Sequence, residues 1–477
     1  MRKMKIIVCI ILSFVAFLLP LAIVISLAAL TPVQYGETFY RALPDKFDRL
    51  MSTEGKKIVV VGGSSVAFGL DSELLEEYTG MPCVNFGLYA ALGTKLMLDL
   101  SRPGINDGDI VILAPELDAQ TLSMYFSAES TLMATDGRYD LLKYVRGDDR
   151  LSLLGGLYGH AADKIAHMRE GTAPSPVGVY RSDSFNEYGD IACERAENVM
   201  PLYYDPNTRV TLDSDILDED FIDYVNEYVR YCERRGASVY FSFCPVNEMA
   251  LADGTDESTF AKFESYLRRV LDCELISYLD DYVMEAGYFY DTNFHLNDAG
   301  VVVRTLNLAQ DIRIILGDMT LIEAERPTAP ELPMADVRFD GEDENVKYFR
   351  FERQDNGSMV IVGLSEVGMS MKTLTVPLGY DGYKVSAIDR AAFSGSSVET
   401  LIITADTNLR NFFDGAFADS MIRDVYVYYV YEDESDMLSP CSDFFGINLH
   451  VPAGSSYLWT YSWDKQNVKN VNKIPDL

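Results

Sequence analysis

The sequence predicts an α/β fold, a parallel sheet flanked by helices, and three observations carry that prediction. Short apolar runs rich in β-branched residues recur at Ile58–Val61 and Asp109–Ala114, as in strands covered on both faces, and Val239–Phe243 reads as a further strand closed by Cys244-Pro245. Phe221, Tyr224, Val225, Tyr228, Val229 and Cys232 fall on one helical stripe, and Phe260, Phe263, Leu267, Val270 and Leu271 on another. Strands separated by such helices argue for a parallel sheet with a helix layer on each face. The first run ends in Gly62-Gly63-Ser64-Ser65, and open α/β sheets place ligands at the carboxyl ends of strands.

Taken in order, the chain begins with Arg2, Lys3 and Lys5, followed by the uncharged stretch from Ile6 to Leu30. At about 1.5 Å per residue, a helix of that length exceeds the roughly 30 Å hydrocarbon core of a bilayer. Residues 1–30 therefore read as a cytoplasmic stub and a single-pass transmembrane anchor, with the flanking positive charges keeping the N-terminus inside and the bulk of the chain extracytoplasmic. A cleaved signal peptide is the rival reading, with Ala28-Ala29 as small residues, but the apolar region is longer than such peptides use. Residues 31–55 read as a juxtamembrane linker.

Residues 56–317 form the expected α/β domain. After the first strand, Ser65 has two readings, a nucleophile or a cap of the following helix. Ser72–Tyr78 is a short helix and Pro82–Gly87 a second strand. Asp109–Ala114 is a third strand, followed by Pro115-Glu116-Leu117-Asp118. From about 121 to 213 the periodicity loosens and aromatics become frequent, which suggests a lid or substrate-binding cap inserted between core elements. His160 and His167 fall in this cap without an acidic or cysteine partner at ligand spacing, so no metal is expected. The helix through Phe221 and Cys232 should end at Gly236. An aromatic, strand-like run at Gly287–Tyr290 then leads to His295 and to a helix over Val301–Leu316.

Composition bounds the function. The 477 residues suggest two or three domains, and a formal net charge of −33 excludes a nucleic-acid surface, which needs clustered Lys and Arg. Seven cysteines show no C-x-x-C pair and no zinc-type spacing, so buried free thiols are expected and no cofactor is implied. Residues 318–340 are a linker, stiffened by Pro327, Pro330 and Pro333. In residues 341–477, Ile388 recurs as Phe412, Ala392-Phe393 as Ala416-Phe417, Leu401 as Val425 and Ile403 as Val427, each 24 residues on. That period lies in the leucine-rich-repeat range, with the stretch Glu432–Gly446 interrupting it.

Two resemblances add to this reading. Gly63-Ser64-Ser65-Val66-Ala67-Phe68-Gly69 resembles the first block of the SGNH (GDSL-type) hydrolases, in the Gly-Ser-Ser form of the membrane-anchored branch similar to D-alanyl-lipoteichoic acid transfer proteins. Asn85-Phe86-Gly87-Leu88 resembles the second block, and Asp291-Thr292-Asn293-Phe294-His295 the last. The resemblance implies Ser65 as nucleophile, His295 as base, Asp291 as its orienter, and the backbone N–H groups of Gly87 and Ser65 as an oxyanion hole. Three residues separate Asp291 from His295 where the family has two, and Asn293 and Asp298 are the neighbouring alternatives as orienter. The Asn of the third block has no counterpart after Asp109–Ala114. Thr373–Pro377, Val385–Asp389, Ala392–Gly395 and His450–Ser455 resemble BspA-type leucine-rich repeats of bacterial surface proteins. Together these imply an esterase or acyltransferase acting on an ester of a cell-envelope glycan, teichoic-acid-like polymer or lipid. The alternatives are an inactive SGNH-like scaffold and an adhesin that binds a surface ligand through its repeats.

Overall fold

The computed structural model describes residues 19–20, 22–176, 178–200, 202–332, 338–354, 357–409, 411–428, 446–452 and 470–474. Its centre is a parallel sheet of β1 (Ile58–Gly62), β2 (Cys83–Gly87), β3 (Ile110–Leu113), β4 (Ser238–Phe241) and a short fifth strand, Glu274–Leu275, in the order β2-β1-β3-β4 and then the fifth. Every residue of β1, β2 and β3 is buried, which is why they read as unbroken apolar runs rather than alternating ones. Successive side chains still point to opposite faces. Ile58, Val60 and Ile112 pack with Leu308, Ala309 and Ile312 of the helix Asp298–Ile315, while Val59, Val61 and Val111 join the larger core on the other face. The helix Glu219–Glu233 contributes its predicted stripe to that larger core, starting at an Asp218 cap and followed by Gly236 at φ +85°.

Two expectations change. Residues 31–55 are not a linker: Tyr35, Phe39, Leu43, Phe47 and Leu50 are buried in the domain core, largely on the helix Ala42–Ser52. Their spacing is helical, and Arg49 Nη2 donates to the β2 carbonyl of Cys83 at 2.9 Å, so the helix closes over that edge of the sheet. The run at Gly287–Tyr290 is not a strand but a 3-10 turn, Ala286–Tyr288, leading into a bridge between Phe289 and Leu296. Residues 22–30 are helical, and among the described residues no helix is long and apolar enough to cross a membrane. Most of the expected span, including Ile6 and Cys9, lies outside the described residues.

The cap insertion is held to the sheet by a buried polar cluster. Asp190 accepts from Ser72 N and Ser72 Oγ, each at 2.8 Å, and from Asn85 Nδ2 at 2.7 Å. Lys46 donates to Gly189 O, Asn85 O and Asn85 Oδ1. Burial raises the Asp190 carboxyl and pushes the Lys46 ammonium down to about 7.

In the C-terminal part, Thr373–Thr375, Thr400–Ile403, Asp424–Val427, Asn448–Pro452 and Asn470–Ile474 pair in sequence as one sheet, all parallel. Leu401 pairs with Val425 and Val425 with Leu449, so the 24-residue period is the register of the ladder. Ile388 pairs with Phe412 in a second sheet, and Phe393 and Phe417 meet in the core between them. Residues 429–445, most of the expected interruption, lie outside the described residues, as do Cys441 and residues 453–455 of the terminal unit. The linker is tied back at several points. Ile322 N donates to Gln310 at 2.8 Å, Arg326 to Asn307 at 2.6 Å, and the Tyr288 hydroxyl to Pro327 O at 3.0 Å. Asn207 of the cap bonds Phe412 O and Asp414 N, both at 2.8 Å, joining the cap to the repeats.

A fragment ending at Gly317 lacks the tied-back segment and should unfold at least a few degrees below one ending at Leu332, read by thermal unfolding. Asp311 accepts from Ser277 Oγ at 2.7 Å and Tyr282 OH at 3.0 Å, and burial pushes its carboxyl up to about 6. A raised folded pKa gives stability that is present below the unfolded value near 4 and lost as pH rises through about 6. Asp311→Asn should flatten that loss by roughly 2–3 kcal/mol, measured by urea unfolding at acid and neutral pH.

Candidate active site

The strand order fixes where a site can form. The chain leaves β1 for β2 on one side and returns to β3 on the other, so a crevice opens between the carboxyl ends of β1 and β3. Ala114 N donates to Val61 O at 2.9 Å, carrying the pairing past the strand ends. Ser65 follows β1 in the five-residue helix Ser64–Phe68, and Glu116 follows β3. They meet across the crevice: Ser65 N donates to Glu116 Oε1 at 2.6 Å, with Ser64 Oγ 3.5 Å from the same oxygen. The glycines of the motif are explained by this approach. A Cβ on Gly62 would lie 2.5 Å from Ala114 O, and one on Gly63 would lie 2.2 Å from Glu116 Oε2.

The segment before the helix Asp298–Ile315 brings Asp291 and His295 together. Tyr290 N donates to His295 O at 2.9 Å, closing a tight loop, and Thr292 Oγ1 accepts from His295 N at 3.0 Å. Across that loop, His295 Nδ1 lies 2.8 Å from Asp291 Oδ1, so the extra residue is absorbed in the turn. Asp291 Oδ2 accepts from the Tyr180 hydroxyl at 2.8 Å. Asn293 and Asp298 do other work. Asn293 bonds Asp205 N, Asp205 O and Thr208 O of the cap, and Asp298 accepts from Arg195 N. Asn297 caps the helix by accepting from Gly300 N.

Ser65 and His295 are linked through an aromatic ring rather than a hydrogen bond. Phe68, one turn after Ser65, stacks face to face on His295 with centroids 4.0 Å apart and planes within 1°. Ser65 Oγ is buried and makes no hydrogen bond. The Gly87 N–H points to Asn85 Oδ1 at 3.1 Å, so in this conformation both expected oxyanion donors are engaged, Ser65 by Glu116 and Gly87 by Asn85. The site is closed, with Ser65 at 0% and His295 at 4% exposure. Phe39 and Tyr180 both pack on Phe68, and their segments meet in an isolated antiparallel bridge between Thr38 and Arg181, with Phe39 N donating to Tyr180 O and Ser182 N to Glu37 O, each 3.0 Å. Residues 37–39 and 180–182 thus form a bridged cover.

Tyr180 and Phe68 are the site residues that sequence reasoning missed. Tyr180 lies 111 positions from Asp291 and carries no local signal. His160 Nε2 pairs with Tyr139 OH at 2.8 Å, away from this site, and among the described residues no group of His, Cys, Asp or Glu is placed to hold a metal. Cys83, Cys193, Cys232, Cys244 and Cys273 are free thiols. No protein-family model matches this chain, and no curated protein matches it.

Gly87 faces Val66 so closely that a Cβ there would lie 2.4 Å from Val66 Cβ and 2.6 Å from Gly63 O. Gly87→Ala should therefore cost about 1–3 kcal/mol and lower the Tm, whatever its effect on chemistry. An unchanged Tm would show that the β2 end does not press on the Ser65 turn.

Proposed function

We propose that this chain is a membrane-anchored, extracytoplasmic SGNH-like serine esterase or acyltransferase acting on an ester of a cell-envelope glycan, polymer or lipid. The observation that carries the reading is the Asp291–His295 pair, stacked on the same helical turn that begins with Ser65. With Nδ1–H donating to Asp291, the free lone pair of the imidazole is on Nε2. Ser65 Oγ attacks the ester carbonyl carbon, its proton passes to His295 Nε2, and the carbonyl π pair moves onto oxygen. Collapse re-forms the carbonyl and breaks the C–O bond to the alcohol, which takes the proton from His295. Water or an acceptor hydroxyl then releases the acyl group by the same steps in reverse. Entry of substrate requires the 37–39 and 180–182 cover to part, a gating step of a kind common in enzymes that exclude water. The membrane attachment is supported by the exposed Leu19, Ile23, Leu27 and Leu30 at the start of the described chain. The parallel ladder is the surface through which the repeats would hold a wall or host partner.

A catalytically silent scaffold is the second reading, favoured by the engagement of the Ser65 N–H with Glu116 and by the closed cover. A fluorophosphonate probe separates the two, since labelling requires an activated serine. The wild-type protein should label, Ser65→Ala and His295→Ala should each abolish labelling, and the double variant should be no worse than either single one. Labelling of Ser65→Ala at the wild-type rate would sink the catalytic reading, and an unlabelled wild type would support the scaffold.

A further inference from the structure

Glu116 is the polar group at this site that the triad does not use. It is 2% exposed, Oε1 receives the Ser65 N–H, and Oε2 makes no hydrogen bond. Ser65 Oγ beside it is equally unpartnered. The groups around the carboxyl offset a negative charge only in part. Asp118, two residues on, is a like charge, and Cys244, beyond β4, is a buried thiol. The Arg304 guanidinium, from the helix Asp298–Ile315, donates through Nη1 to Gly69 O at 2.8 Å and leaves Nε and Nη2 without hydrogen bonds, so its charge acts on Glu116 through space without a hydrogen-bonded ion pair. A buried carboxylate without a directly bonded counter-charge is expensive, and burial accordingly raises the Glu116 carboxyl.

When Ser65 attacks an ester, the carbonyl oxygen develops negative charge within reach of the nucleophile's own N–H. Glu116 Oε1 now sits on that N–H, in the position the oxygen would take. We propose that Glu116 contacts the oxyanion: the ester oxygen displaces Oε1 from the Ser65 N–H, and the carboxylic O–H of Glu116 donates to it as the second hydrogen bond. This role rests on the serine-esterase reading above. A neutral carboxyl stabilises the developing charge, whereas the ionised form repels it, so turnover falls as pH rises through the titration of Glu116.

The test uses p-nitrophenyl acetate hydrolysis by the full chain, with fluorophosphonate labelling in parallel. Glu116→Gln keeps a donor of the same shape and does not titrate. It should retain activity within about tenfold and lose the alkaline fall-off seen in wild type. Glu116→Ala should lose about 10²–10³ in kcat, with a thermal unfolding curve showing that it is folded. Equal loss in Glu116→Gln and Glu116→Ala, wild-type activity in Glu116→Ala, or an alkaline limb unchanged in Glu116→Gln would each overturn the proposal while Ser65-dependent labelling left the esterase reading standing. Wild-type turnover and labelling that survive in Ser65→Ala would instead remove the esterase reading, and the Glu116 role with it.

Discussion

The close approach of the carboxyl ends of β1 and β3 is the constraint on which the rest of the site depends. Parallel pairing in register brings Gly62 against Ala114 and Gly63 against Glu116, leaving no room for a side chain at either glycine. The chain must then turn sharply, and the next residues start a helix with Ser65 in its first turn. Because β2 pairs with β1 on the opposite side, Gly87 presses on Val66 of the same turn. Ser65 is thus held between two strand ends by packing rather than by hydrogen bonds to its side chain, an arrangement that favours a fixed position for the backbone N–H.

The second constraint is electrostatic. Asp190, Lys46 and Asn85 form a buried network that joins the cap, the N-terminal helix and β2. Removing one partner would strand the others away from water, so such a network favours all three segments docking together or not at all. The same insertion carries Tyr180 to Asp291.

The central sheet was legible because strands buried on both faces need unbroken apolar runs, and β1 and β3 have them. The pairing of Asp291 with His295 was legible only through the resemblance of the segment to the last SGNH block, which left Asn293 and Asp298 open as orienters, and the turn geometry selects Asp291. Other features had no local signature. The stripe Phe39, Leu43, Phe47 and Leu50 is periodic, yet its place behind an apolar leader made it read as a spacer, and only its burial against β2 shows otherwise. The contacts of Tyr180 with Asp291 and of Glu116 with Ser65 are set by topology, which no spacing along the chain encodes. The engagement of the Gly87 N–H with Asn85, two residues earlier, depends on a side-chain rotamer that composition does not reveal.

The repeat ladder has a consequence of its own. Thr400, Asp424 and Asn448 stand side by side on adjacent strands, as do Leu401, Val425 and Leu449. The ladder therefore measures length in whole rungs. Loss of a single residue between rungs would turn the buried row outward, whereas removal of one complete rung would leave every neighbour's surroundings nearly as they were. A surface built this way can lengthen or shorten over generations without redesign of its core.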